Sequence, residues 1–231
     1  MPRAIELRPV QVFAIALTLA LGLAVDVRTD LFGQALIGVA VWAFMLVLLA
    51  RFPAHERYVF IACLAIATTG ELVLSLGWGL YTYRLGNVPP FVPPGHVMLL
   101  MLGVWLAHRI TDRTAQLVVA CAGIYAGVAA LAGIDTLGML LFLVIAIAWF
   151  LVPTHRRLYA STFAVALVLE IYGTWLEVWR WATDVPGLPL VTTNPPGTVG
   201  AFYCALDALV MTAMLLVLPQ IRRSYAAAKA V

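Results

Sequence analysis

Charge is scarce in this chain. Of its 231 residues only 11% are Asp, Glu, Lys or Arg, while 64% are hydrophobic and the mean hydropathy is +1.00. A soluble domain carries roughly a quarter charged residues, so a soluble globular protein is excluded. Cysteine is nearly missing, with three in all, which excludes a disulfide scaffold. Cys63, Cys121 and Cys204 fall inside apolar runs, where they suit packing better than spaced metal ligation. Also missing are His-Glu-x-x-His, Gly-x-Ser-x-Gly and a phosphate-binding glycine loop. Zinc-protease, serine-hydrolase and ATP-driven chemistry therefore find no support, and neither metal nor other cofactor is called for. The net charge of +3 sits in short clusters between apolar runs and gives no surface for nucleic acid.

What is present is long apolar sequence. Eight stretches approach the roughly 20 residues of a spanning helix: 9–25, 32–50, 58–83, 96–108, 114–133, 136–152, 158–182 and 198–219. The fourth is short and invites extension into the proline-rich segment before it. Lipid cannot satisfy free backbone donors and acceptors, so the reading is an all-α, polytopic membrane protein of eight transmembrane helices. Eleven of the fourteen Lys and Arg fall on one side, Arg3, Arg51, Arg109, Arg157 and Lys229 among them; the other side holds Arg28, Arg84 and Arg180. The positive-inside rule then puts both termini in the cytoplasm of a bacterial-type inner membrane. The alternative for the first run is a secretory signal ending near Gly22 and Ala24, which leaves seven crossings.

Two segments about a hundred residues apart resemble each other. Glu71 is followed by Ser75, Trp78, Tyr81, Tyr83, Arg84 and then Pro93-Pro94-Gly95; Glu170 is followed by Thr174, Trp175, Trp179, Arg180, Trp181 and then Pro195-Pro196-Gly197. In both, a helix with a central Glu leads to an aromatic-x-aromatic pair with an Arg and a proline-rich outer loop. The expectation is two parallel four-helix repeats, 1–110 and 111–231, related by an axis along the membrane normal.

Acids inside apolar runs mark function. Glu71 and Glu170 lie about 20 Å along their expected helices, near the bilayer middle, and Asp207 is similarly central in the last. The expectation is one polar chamber holding all three, with Glu177 two turns outward of Glu170 on the same helix face. A Glu in an apolar chamber keeps its proton more firmly and can act as a general acid or a proton carrier. Trp78, Tyr81, Tyr83, Trp175, Trp179 and Trp181 crowd the outer ends, either as an interfacial belt or as the wall of the chamber mouth. Arg84 and Arg180 either reach outer headgroups or clamp an anionic substrate end. His96 is a candidate proton partner, while His55, His108 and His155 lie in basic clusters.

The stretch Glu71…Gly77-x-Gly79-x-Tyr81-x-Tyr83…Gly86-x-Val88-Pro89, with Trp179-x-Trp181…Leu188-Pro189…Asn194, resembles a pattern in membrane-embedded carotenoid hydratases and, more faintly, integral-membrane lycopene cyclases. The resemblance covers about 60 residues. It implies acid chemistry on a polyene end, with essential carboxylates and Asn194 near the substrate. The leading expectation is thus a membrane enzyme acting from the outer-leaflet side on an isoprenoid, carotenoid-like or lipid-linked substrate. Hydratase, cyclase or lipid-linked glycan hydrolase chemistry would fit. In it Glu71 and Glu170 are the acid/base pair, with Asp207 and Glu177 tuning them. The alternative is a proton-coupled transporter or flippase. Substrate and oligomeric state are open.

Overall fold

The computed structural model describes residues 7–228; Arg3 and Lys229 of the charge count lie outside it, as do the side chains of His55, Arg222 and Arg223. The chain is mostly helical, 73%. Among the described residues eight α-helices follow in order: α1 Pro9–Asp26, α2 Leu31–Leu49, α3 Ala54–Glu71, α4 Val92–Ala107, α5 Asp112–Leu131, α6 Thr136–Leu151, α7 Arg156–Trp175 and α8 Gly200–Ala228. Five segments are long and apolar enough to cross a bilayer: Pro9–Asp26, Leu31–Leu49, Glu56–Gly77, Asp112–Leu131 and Pro153–Trp175. Three shorter apolar helices complete the set. Outer faces are apolar, with Val128 64% and Val168 69% exposed, so the surface as well as the core favours a non-aqueous medium.

Helices α3, α4, α7 and α8 form a closed inner ring, in which α3 and α7 each pack on both α4 and α8. α1 and α2 lie outside α4; α5 and α6 cover α7 and α8. Helix starts follow local chemistry. Asp30 accepts from Gly33 N–H at 2.9 Å to cap α2, and Asp135 accepts from Gly138 N–H at 2.8 Å to cap α6. The short fourth run is extended as expected: α4 takes Pro93 and Pro94 into its first turn, where a missing N–H costs nothing.

Two expected helices end early. The run 58–83 is helical only as far as Gly77, its last turn Leu72–Gly77 widened into a π-helix, and the run 158–182 stops at Trp175. Beyond each stop a residue turns left-handed, Gly79 at φ +74° and Glu177 at φ +61°, and the chain doubles back as a strand. Strands β1, Tyr81–Tyr83, and β2, Trp179–Trp181, pair antiparallel, with Tyr81 opposite Trp181 and Tyr83 opposite Trp179. Successive strand side chains alternate faces. All four aromatic rings therefore point inward and are buried, while Thr82 and Arg180 point out.

The early stops move the carboxylates. Glu71 lies six residues from the end of the helical segment and Glu170 five, so both sit within about 10 Å of the end carrying the strands. They are beneath the two-stranded ribbon, not halfway along the bundle as the longer runs implied.

Candidate functional site

Glu71 is 7% exposed, at the last residue of α3. The π-turn behind it carries the chain through Gly79 and back over its own helix end, so β1 hangs Tyr81 and Tyr83 above the carboxylate. Both hydroxyls donate to Glu71 Oε2, at 2.9 and 2.7 Å. Burial, together with the neighbouring carboxylate, raises both phenols well above their ordinary value, so they remain donors. The other oxygen, Oε1, meets His96 Nε2 of α4 at 2.8 Å. When Glu71 is ionised it can only accept, and Nε2 then carries the proton. His96 Nδ1 is buried and has no hydrogen-bond partner among the described residues.

Glu170 is served in the same way from the second half of the chain. Its Oε2 accepts from the indole N–H of Trp179 at 2.8 Å and of Trp181 at 3.1 Å, and its Oε1 accepts from the Tyr203 hydroxyl of α8 at 2.8 Å. Indole N–H can only donate. Two indoles and a phenol around one carboxyl group satisfy both of its oxygens and hold it in place. Gly173 makes room for this: a Cβ there would collide with the Trp179 ring.

The two clusters are one network. Tyr81, bound to Glu71, packs its ring 4.7 Å from that of Trp181, bound to Glu170. His96 and Tyr203 stack at 5.2 Å, each holding the opposite carboxylate. Both acids, these six aromatic partners and apolar residues of α1, α3, α4 and α8 line one cavity of about 230 Å³. Its walls are chiefly Leu, Val, Ile, Phe and Met. The lining reaches Leu209, 56% exposed and about 14 Å along α8 from its start.

Seven of the residues singled out from sequence therefore converge: Glu71, Glu170, Tyr81, Tyr83, His96, Trp179 and Trp181. The others do not line this cavity. Glu177 lies past the end of α7 and is exposed, because the helix that was to carry it outward on the Glu170 face has already stopped. Trp175 is 75% exposed and fits the interfacial belt. Trp78 spans the two loops, donating from Nε1 to Pro186 O at 2.8 Å. Arg84 donates to the carbonyls of Asp26 and Thr29 and stands 3.6 Å from the buried Asp26 carboxylate; it ties α1 to the ribbon. Arg180 points outward on β2. Asn194 accepts from Trp181 N–H at 3.0 Å and so supports the strand. Asp207, 2% exposed, lines a separate cavity lower in the inner ring.

Tyr203 escaped the sequence reading. A signal exists, since it is a polar residue one helical turn before Asp207 in an apolar helix, but no pattern match drew attention to it. Among the described residues no group of three or more His, Cys, Asp or Glu is arranged to hold a metal ion. Comparison with protein-family models, curated proteins and solved structures finds no match.

Proposed function

We propose that this protein spans a bacterial-type inner membrane as two parallel four-helix halves and acts as an enzyme on a lipophilic, isoprenoid-like substrate. Proton transfer would take place at the Glu71–His96 pair. Support for the halves comes from matched positions. Asp30 and Asp135 cap the second helix of each, and each Glu draws two donors from the strand after its own helix and one from the next helix. The strand register maps Tyr81 onto Trp179 and Tyr83 onto Trp181 about a twofold axis through Thr82 and Arg180.

One observation carries the reading. His96, which lines the cavity, is pinned through Nε2 to Glu71, while its buried Nδ1 has no hydrogen-bond partner among the described residues. A ring held by a carboxylate on one nitrogen and free on the other is placed to pass a proton at the free one. Glu170, ringed by donors, supplies a fixed electron-rich carboxyl group. With the faces of Trp179 and Trp181 it offsets positive charge developing on a hydrocarbon chain. The chiefly apolar lining suits a lipophilic substrate.

The test begins with mass spectrometry of lipid co-purifying with the protein, followed by turnover of that lipid class. Glu71→Gln and His96→Gln should each lower turnover by about 10²- to 10⁴-fold while the lipid still binds. Unchanged turnover in His96→Gln would overturn the assignment. Flux that collapses when the proton gradient is discharged, with the lipid chemically unaltered, would identify a proton-coupled transporter or flippase instead.

A further inference from the structure

The inner ring holds a second, smaller cavity of about 30 Å³ at the end opposite the ribbon. Asp207 of α8 lines it, as do His108 at the end of α4 and His155 just before α7; the remaining wall is apolar. Asp207 Oδ2 and His155 Nδ1 are both buried and without a well-formed hydrogen bond among the described residues, and Thr162 lies beside Asp207 as its nearest side-chain hydrogen-bonding group. A buried polar atom without a partner costs about 1–3 kcal/mol, and two on residues that line one cavity call for a common partner. The cavity has room for about two water molecules, each needing some 10–15 Å³ and two or more polar contacts.

We propose that this cavity is a proton inlet: a hydrated site in which His155 takes protons at the basic end of the bundle and Asp207 holds them inside. Its position supports a path in that direction. His155 is partly exposed and follows Pro153–Thr154 in a 3-10 turn, next to Arg156 and Arg157. Asp207 is enclosed one turn below Tyr203 on the same face of α8, and Tyr203 belongs to the carboxylate network above. The other titratable groups packed toward Asp207 are Cys63 of α3, Tyr159 of α7 and Cys204 of α8. All three are uncharged donors in their ordinary forms, so none competes with Asp207 for the role. The inference stands on the orphaned atoms and the cavity alone and does not depend on the chemistry proposed at Glu71.

Infrared difference spectroscopy of the purified full chain, transferred between H2O and D2O, tests it. A protonated-carboxyl carbonyl band should be present that Asp207→Asn abolishes, and it should shift on deuteration. In His155→Phe the band should persist but exchange more slowly, by on the order of 100-fold, and His155→Asn should restore part of the rate. Circular dichroism establishes that each variant keeps its helix content. The proposal is overturned if no band depends on Asp207 between roughly pH 5 and 8. It is overturned equally if His155→Phe exchanges as fast as the wild type, which would leave Asp207 as a packing residue reached by general breathing.

Discussion

Gly79 and Glu177 adopt the same left-handed backbone conformation, each two residues before the first aromatic of its strand. The turn needs a positive φ in both halves, and one half supplies glycine while the other tolerates a side chain. A non-glycine residue there costs about 1–2 kcal/mol, offset in part by glycine's greater chain entropy. Glu177→Gly should therefore be neutral or raise stability by up to about 1 kcal/mol, with turnover unchanged. Gly79→Ala should lose about 1 kcal/mol or more. Thermal unfolding in detergent reads both. A large loss of turnover in Glu177→Gly would restore the exposed Glu to the chemistry.

Trp181→Phe keeps a ring against Tyr81 and Phe202 but removes one donor from Glu170. A buried acceptor left short of a partner costs about 1–3 kcal/mol, and a loss of that size is expected in the unfolding free energy. Trp175→Phe, at an exposed position outside the network, should change it by less than about 0.5 kcal/mol.

Gly173→Val should force the Trp179 indole away from Glu170, costing about 1–3 kcal/mol by overpacking and shifting tryptophan emission. Gly127→Ala adds a methyl where no atom lies within 4 Å and should leave emission unaltered. An unshifted spectrum in Gly173→Val would mean the ring has another seat.

Arg84→Met strips the buried Asp26 of its cation, leaving Gln34 Nε2 at 2.9 Å as its side-chain partner. Breaking such a pair from one side costs about 3–5 kcal/mol; with Arg84 partly exposed, the lower end is expected. Adding Asp26→Asn should recover part of the loss in a double-mutant cycle. Arg180→Met should be close to neutral. A change in substrate KM with stability intact in Arg84→Met would instead support the anion clamp read from sequence.

Hydropathy and the inside-out charge pattern made the helix count legible, because each run satisfies its own backbone locally. Helix ends were not legible in the same way. Tyr-Thr-Tyr and Trp-Arg-Trp alternate with the period of a strand, yet each strand is only three residues long, and its partner lies about a hundred positions away. Continuing apolar sequence hid both the π-turn after Glu71 and the stop at Trp175. The pairing of Glu71 with Glu170 was readable because the same motif flanks both. Asp207 was misplaced because depth along a helix does not say which side of the bundle a residue faces, or how far below the others the fold sets it. His96 and Tyr203 owe their places to a helix–helix contact, which a single chain's spacing does not encode.

The main cavity draws its outer wall from Thr18, Leu19, Gly22 and Leu23 of α1 and takes no residue from α5 or α6. The near-twin carboxylates thus share a single room built on one side of the molecule. A ligand that fills it should saturate at one guest for every polypeptide, with α5 and α6 left as a buttress behind the wall.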